Sequence, residues 1–109
     1  MKNSCEITDL KNQTGLSNSE MSEVKKICLA NSNIEKIVLF GSRAKKTWKP
    51  RSDIDLCLFG ENASYHDVAL ISFKLNEETL FPYHFDILLW NEIQNKEISK
   101  HILRCGIVL

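Results

Sequence analysis

Residues 53–59 alternate strictly between aliphatic side chains and side chains of other kinds. The aliphatic positions are Ile54, Leu56 and Leu58. A period of two is typical of a β-strand whose two faces have different surroundings, because successive side chains point to opposite sides of a sheet. The pattern therefore predicts a strand that buries one face and holds Asp53 and Asp55 together on the other.

Two more apolar segments have the length and composition of strands. Ile37–Phe40 is a β-branched run that stops at a glycine, and Tyr83–Trp90 follows a proline. Ile107–Leu109 predicts a short last strand. Together with residues 53–59, these segments predict a small sheet of short strands.

Apolar residues recur at helical spacing in three other places. The spacing predicts helices over about 18–31 and 64–78 and a last helix that Asn95 caps, and residues 42–46 have room for one helical turn. We therefore expect an α/β (α+β) fold, a small mixed β-sheet flanked by helices. Helices packed on one side of the sheet are the simplest arrangement.

The length and charge of the chain limit its organisation and its partners. The 109 residues suit one domain, and we expect a flexible N-terminal arm over residues 1–16 before a single domain over residues 17–109. The formal net charge of zero gives no general attraction to nucleic acid or to an acidic membrane, so direct binding to either is not expected.

The first residues lack the apolar core of a secretion signal, and the four cysteines lack zinc or redox spacing. No apolar run approaches the roughly 20 residues of a membrane span. These features predict a cytoplasmic protein whose cysteines act as small apolar side chains.

Asp53 and Asp55 are the first candidates for a functional site. Two carboxylates on one face of a strand repel each other, and a divalent cation relieves the repulsion. Mg²⁺ prefers one or two carboxylates together with substrate phosphates. Taken alone, the pair is common and more typical of the solvent-facing side of an edge strand.

Asp86 adds a third carboxylate, in the middle of the apolar segment Tyr83–Trp90. An unpaired carboxylate among large apolar residues is costly to bury. If this strand lies next to residues 53–59, Asp86 joins the other two in a cluster suited to phosphoryl transfer. An ion pair with a nearby Lys or Arg is the alternative.

Gly41 and Ser42 follow the first strand and form a second candidate element. A glycine lets the backbone approach a ligand closely, and the serine offers a hydroxyl and an amide to a phosphate. The alternative is a strand that ends at a glycine, followed by a serine helix cap.

The combined spacing is more specific than any of its parts. Gly41-Ser42, ten intervening residues, Asp53-x-Asp55 and a later Asp86 resemble the signature of the DNA polymerase β-like nucleotidyltransferase superfamily. The stretch LFGSRAKKTWKPRSDIDLCLF looks closest to its minimal nucleotidyltransferase (MNT) branch, and LFPYHFDILLW is similar to the branch's Pro-Tyr-x-x-Asp strand. The resemblance extends from about residue 18 to the end of the chain.

The resemblance implies a nucleotidyltransferase fold and a role for each matching residue. Gly41, Ser42, Arg43 and Ser52 would bind the nucleotide, and Asp53, Asp55 and Asp86 would be the catalytic and metal-binding residues. Mg²⁺ would be the cofactor. A hydroxyl would attack the α-phosphate of a nucleoside triphosphate, normally ATP, and pyrophosphate would leave, which is a reaction of the EC 2.7.7 type.

The chain departs from the branch at Lys46, where relatives have glycine in a G-S-R-A-x-G pattern. Lysine resists a positive φ, so the shape of this loop is open. Basic residues are frequent between Arg43 and Arg51. They would screen phosphates, face a partner or form an ordinary solvated loop; among them Arg43 suits phosphate best, because a guanidinium can bind two phosphate oxygens at once.

The resemblance also implies a partner, a helical HEPN-domain protein bound in a hetero-oligomer. The pair would form a toxin–antitoxin system in which this chain is the antitoxin and a protein adenylyltransferase that modifies a tyrosine of the HEPN toxin. A non-catalytic module of the same fold that neutralises a helical partner by contact alone is the alternative. Transfer to a small molecule, as in antibiotic nucleotidyltransferases, is a third hypothesis, disfavoured because no acceptor domain is present.

Overall fold

A computed structural model describes residues 13–109 as a four-stranded sheet with three α-helices. The elements in chain order are α1 (Asn18–Leu29), β1 (Lys36–Phe40), β2 (Ile54–Phe59), α2 (Tyr65–Glu77), β3 (Phe85–Leu89), a 3₁₀ turn (Trp90–Glu92), α3 (Lys96–Cys105) and β4 (Ile107–Val108). Every predicted helix and strand is present, most of them shorter by one to three residues. Residues 42–46 form hydrogen-bonded turns instead of a helical turn.

The sheet is mixed, with the strand order β3-β2-β1-β4. β1 pairs antiparallel with both β2 and β4, and β2 pairs parallel with β3. The parallel pair is possible because α2 carries the chain back across the sheet between its two strands. The predicted mixed α/β fold is confirmed.

The larger core lies between one face of the sheet and helices α1 and α2. The buried strand residues on this face are Ile37, Leu39, Ile54, Leu56, Leu58, Phe85 and Leu89. Val24 and Cys28 of α1 and Ile71 and Leu75 of α2 close over them. The aliphatic positions of residues 53–59 thus face this core, as their alternation predicts.

The opposite face has a smaller core under α3. Ile102 of this helix is buried against Val38, Phe40 and Cys57. The expectation that all helices pack on one side of the sheet is therefore wrong. The reason is that α3 and β4 are consecutive, and the chain reaches the free edge of β1 by crossing the face that α1 and α2 leave open.

Local hydrogen bonds fix the beginnings of the helices. Ser17 and Glu20 form the predicted capping box, each side chain accepting the other residue's amide N–H at 3.0 and 2.9 Å. The Asn95 side chain accepts the amides of Glu97 and Ile98 at the start of α3.

The predicted N-terminal arm falls largely outside the described residues, which begin at Gln13. The last four residues of that arm pack against the rest of the protein. Thr14 and Leu16 are buried, and the Gln13 side chain donates to the carbonyl oxygen of Ala44. The packed part of the chain therefore begins before Ser17.

Two further expectations concern membranes and cysteines. Within residues 13–109, no helix has both the length and the apolar character needed to cross a membrane. Cys28 and Cys57 are free thiols buried in the two cores, and Cys105 is free and partly exposed.

The turn after β1 contains a residue in a strained conformation. Lys46 has a φ of 65°, in the left-handed region that glycine adopts more easily. The loop thus keeps the backbone shape that a glycine would permit, although lysine occupies the position. The surrounding turn holds it there through the bond from the Thr47 amide to the Ser42 carbonyl oxygen, 2.9 Å long.

We predict that Lys46→Gly stabilises the protein by about 0.5–1 kcal/mol. The gain is the left-handed strain of about 1–2 kcal/mol, less the entropy that glycine loses on folding. Urea unfolding of the purified protein measures it. Lys46→Ala is the control, because alanine removes the charge and keeps the strain; an equal gain from Lys46→Ala would mean that charge relief is responsible.

Candidate functional site

Strand β2 presents one carboxylate at the point where the smaller core gives way to solvent. Asp55 points to the same face as Cys57, which packs under α3, and its side chain is half-buried. Asp53 directly precedes the strand and is exposed. The structure therefore keeps the two aspartates next to each other, with Asp55 the more enclosed of the two.

Strand β3 brings Asp86 to the side of Asp55. The parallel register places Asp86 directly beside Asp55, and strands in such a pair lie about 4.8 Å apart. Asp86 is exposed although its strand neighbours are apolar, because β3 is the edge of the sheet and its outer face is open at this end. The expected cost of burying this carboxylate is thus avoided.

The three carboxylates influence one another electrostatically. Burial, together with the negative charges of Asp86 and Asp53, raises the pKa of Asp55 from 3.8 to about 6. All three causes act in the same direction, and no cation among residues 13–109 offsets them. The site therefore has an excess of negative charge at neutral pH.

The carboxylates do not form a closed ligand set. Among residues 13–109, no three His, Cys, Asp or Glu side chains converge closely enough to hold a metal ion by themselves. The predicted cluster of three is instead an adjacent pair, Asp55 and Asp86, with Asp53 beside it. Like charges repel, which favours this open arrangement.

Gly41 brings the end of β1 against Asp55. Its φ is 75°, and a Cβ atom at this position would lie 2.1 Å from the Oδ2 atom of Asp55. Both the backbone conformation and the close approach therefore require glycine. The turn that follows β1 is held within reach of the carboxylates for this reason.

Ser42 and Ser52 occupy the two ends of the loop between β1 and β2. Within the described part of the chain, the Ser42 amide donates no hydrogen bond, so it is available to a ligand. The Ser52 hydroxyl accepts the Lys49 amide at 2.8 Å. Ser52 thus shapes the turn that precedes Asp53.

Arg43 differs from the expectation that its guanidinium contacts phosphate. The side chain is 1% exposed, and its nitrogens donate to the carbonyl oxygens of Thr14 and Ser52. The guanidinium also lies over the rings of Trp48 and Tyr83, with centroids 5.5 and 4.9 Å away. Its geometry is that of a structural residue that ties the loop to the segment before α1.

His101 contributes a contact that sequence reasoning missed. Its Nε2 atom accepts the Gly41 amide at 2.8 Å, which requires a neutral ring with the proton on Nδ1. Burial and the charge of Lys45 both lower the pKa of His101 and favour that form. The only available signal was the position of His101 on the apolar side of the last helix, between Ile98 and Ile102.

The family model described as "Polymerase beta, Nucleotidyltransferase" matches residues 22–109. A comparison with curated proteins gave no match.

Several solved structures share the fold. A toxin–antitoxin protein crystallised with AMP-PNP has a TM-score of 0.68 and 18% identity, over 80% of this chain and 69% of that one. A variant of the toxin–antitoxin MntA–HpeT has a TM-score of 0.66 and 15% identity over the same shares. A proposed nucleotidyltransferase from Sulfolobus solfataricus has a TM-score of 0.51 and 16% identity, over 98% and 87% of the two chains.

At these identities the structural likeness establishes the fold, and the family model establishes the relationship. The matched segment contains the turn after β1 and all three aspartates. The resemblance seen in the sequence is confirmed, and the chain belongs to the polymerase beta nucleotidyltransferase family.

Proposed function

We propose that this protein is a Mg²⁺-dependent nucleotidyltransferase that transfers AMP from ATP to a protein hydroxyl. The observation that carries the proposal is the parallel register of β2 and β3, which sets Asp86 beside Asp55 on one face. Gly41 adds the backbone of a phosphate-binding turn to the same place. Two neighbouring carboxylates beside the free Ser42 amide suit a metal-bound triphosphate better than they suit a structural role.

Asp53 and Asp55 are the residues that would hold the cation. Burial and the two neighbouring carboxylates raise the pKa of Asp55. A bound cation would relieve this repulsion, which supports Asp55 as a cation ligand. Mg²⁺ commonly takes only one or two carboxylates and completes its shell with phosphates and water, which fits the open arrangement of Asp53 and Asp55. When bound, Mg²⁺ supplies positive charge that offsets the charge developing on the phosphate oxygens.

Ser42, Gly41 and Asp86 have separate roles in the proposed reaction. The Ser42 amide and hydroxyl bind phosphate oxygens, and Gly41 lets the backbone approach them. The oxygen of the acceptor hydroxyl forms a bond to the α-phosphorus, and the bond from that phosphorus to the β-phosphate oxygen breaks. Asp86 accepts the hydroxyl proton, and pyrophosphate leaves.

The position of Asp86 supports a protein as the acceptor. Asp86 is exposed on the edge strand, so a side chain of another protein can reach it. We propose that the acceptor is a tyrosine of a helical HEPN-domain toxin, that the two proteins form a hetero-oligomer, and that this chain acts as the antitoxin in the cytoplasm. The likeness to toxin–antitoxin structures, one of them with AMP-PNP, supports this assignment.

We predict that Asp53→Ala/Asp55→Ala lowers AMP transfer at least about 100-fold, because the charge stabilisation lost is several kcal/mol. The assay follows label from α-labelled ATP into a helical HEPN-domain protein co-expressed with this chain. Glu61→Gln, an exposed carboxylate beyond the far end of β2, is the matched control and should leave transfer unchanged.

The same strains distinguish catalysis from neutralisation by contact alone. Survival of cells that express the toxin should fall with the double variant and stay high with Glu61→Gln. Equal protection by wild type and the double variant, with no label in the partner, would overturn the proposal in favour of a non-catalytic binding module.

We also predict that Asp55→Asn stabilises the protein at pH 7 by about 1 kcal/mol in EDTA. The pKa of Asp55 rises from 3.8 to about 6 on folding, so stability falls as the pH rises between these values, and the full cost is present above pH 6. Two pKa units correspond to at most about 3 kcal/mol, and partial exposure reduces this figure.

Thermal unfolding at pH 4 and pH 7 measures the effect, with Glu61→Gln as the control. The gain from Asp55→Asn should be absent at pH 4, where the carboxyl group is largely protonated in the folded protein. A gain of equal size at both pH values would show that packing, and not charge, is its origin.

A further inference from the structure

The outer edge of β3 carries backbone groups that point away from the sheet. On the inner side, the Ile54 amide donates to the carbonyl oxygen of His84 at 2.9 Å, which sets the direction of the hydrogen bonds between β2 and β3. Because these groups alternate in direction along a strand, those of Asp86 face β2, whereas those of Phe85 and Ile87 face outward. The outward groups are the ones that an added strand would bind.

A side chain of the protein itself fills the first outward position. The amide group of Asn76 on α2 donates to the Phe85 carbonyl oxygen at 3.1 Å and accepts the Phe85 amide at 2.8 Å. It makes the two bonds that a residue of a paired antiparallel strand would make. Asn76 therefore closes the edge at Phe85 and at no later residue of β3.

The second outward position, at Ile87, is open. Within residues 13–109, no group bonds to its outward N–H and C=O. A groove of about 190 Å³ lies beside it, lined mainly by apolar side chains that include Leu88, Ile93 and Ile98. Unpaired backbone groups next to side-chain pockets are the two features by which a sheet edge binds an extended peptide.

The charge beside this edge is negative. Glu92 is the only charged residue among those that line the groove, all of which belong to the described part of the chain. Asp86 directly precedes Ile87 and is exposed. A segment that carries lysine or arginine next to aliphatic side chains complements both carboxylates and the groove.

The same charges disfavour a second copy of this chain as the occupant. Two copies paired through Ile87 would bring Asp86 and Glu92 of one copy close to the same residues of the other. Like charges across a strand pair destabilise it. The charge therefore favours a different protein with a basic segment.

We propose that the open edge of β3 binds an extended segment of a partner protein that carries aliphatic and basic side chains. The segment pairs with the N–H and C=O of Ile87, its aliphatic side chains enter the groove, and its basic side chains lie near Glu92 and Asp86. This contact goes beyond the proposed function, because it needs neither metal nor nucleotide.

An NMR titration of the isotope-labelled full chain, without Mg²⁺ or nucleotide, tests the proposal. The probe is a blocked six-residue peptide of alternating valine and lysine, which can present either side chain to the groove. Resonances of Ile87 and Ile93 should shift together, and hydrogen exchange of the Ile87 amide should slow as the site fills. The same peptide with N-methylated backbone amides keeps its charge but loses its donors, so it should bind at least about fivefold more weakly.

A charge reversal in the groove tests the choice of partner. Glu92→Lys should weaken binding of the lysine peptide about three- to fivefold, because it replaces an attraction by a repulsion. Glu23→Lys is the matched control, an exposed glutamate on α1 outside the groove, and should change binding less than about twofold.

Three results would overturn the proposal. Equal binding of the plain and N-methylated peptides would mean that the carboxylates attract lysine without strand pairing. An Ile87 resonance that the peptide leaves in place would mean that the edge is closed to it. An Ile87 amide already protected without peptide, in a chain that sediments as a dimer, would assign the edge to a second copy. None of these results bears on label transfer, so the proposed function is tested separately.

Discussion

The parallel pairing of β2 with β3 is the constraint on which the rest of the structure depends. It sets Asp86 beside Asp55, and it requires α2 to cross the sheet between them. The crossover closes the main core with Ile71 and Leu75, so the contacts that bury α2 are also the contacts that hold two like charges together. Packing on one face of the sheet thus offsets the electrostatic repulsion between Asp55 and Asp86 on the other face.

The elements of the fold and the location of the carboxylates were predictable because each depends on a local period. Alternation in residues 53–59 indicated which way Asp53 and Asp55 point, and the capping box at Ser17 indicated where α1 begins. The position of Asp86 beside Asp55 was predictable because a helix joins β2 to β3 and allows the two strands to be neighbours. Local patterns of this kind indicate which face of a strand a side chain occupies and where a helix begins. The location of the carboxylates depends on the first of these.

Contacts between distant segments were not predictable. Arg43 looked like a phosphate ligand, and the carbonyl oxygens that bind it come from Thr14 and from Ser52, which no local pattern connects. The packing of α3 on the second face and the bond from Gly41 to His101 join residues about 60 positions apart. The left-handed Lys46 shows the same limit, because tertiary contacts override the preference of the residue.

The glycine at the end of β1 connects the carboxylates with the last helix. Gly41 is close to the Asp55 carboxylate on one side and bonded to His101 on the other, so the last helix and strand β2 meet through one backbone unit. A Cβ atom there would push against a charged oxygen. The turn can therefore lie this close to Asp55 only as long as this position carries no side chain.

The edge position of β3 has a consequence for how this protein can change over generations. Alternation gives every residue of β3 one of two orientations, so losing or gaining a single residue inside the strand would rotate Asp86 from the open side into the layer where Phe85 packs. The connection before it, residues 78–84, is also held in place, because the Tyr83 hydroxyl donates to Glu20 and the His84 carbonyl oxygen accepts the Ile54 amide. Over generations, β3 can therefore exchange one residue for another but cannot alter its count.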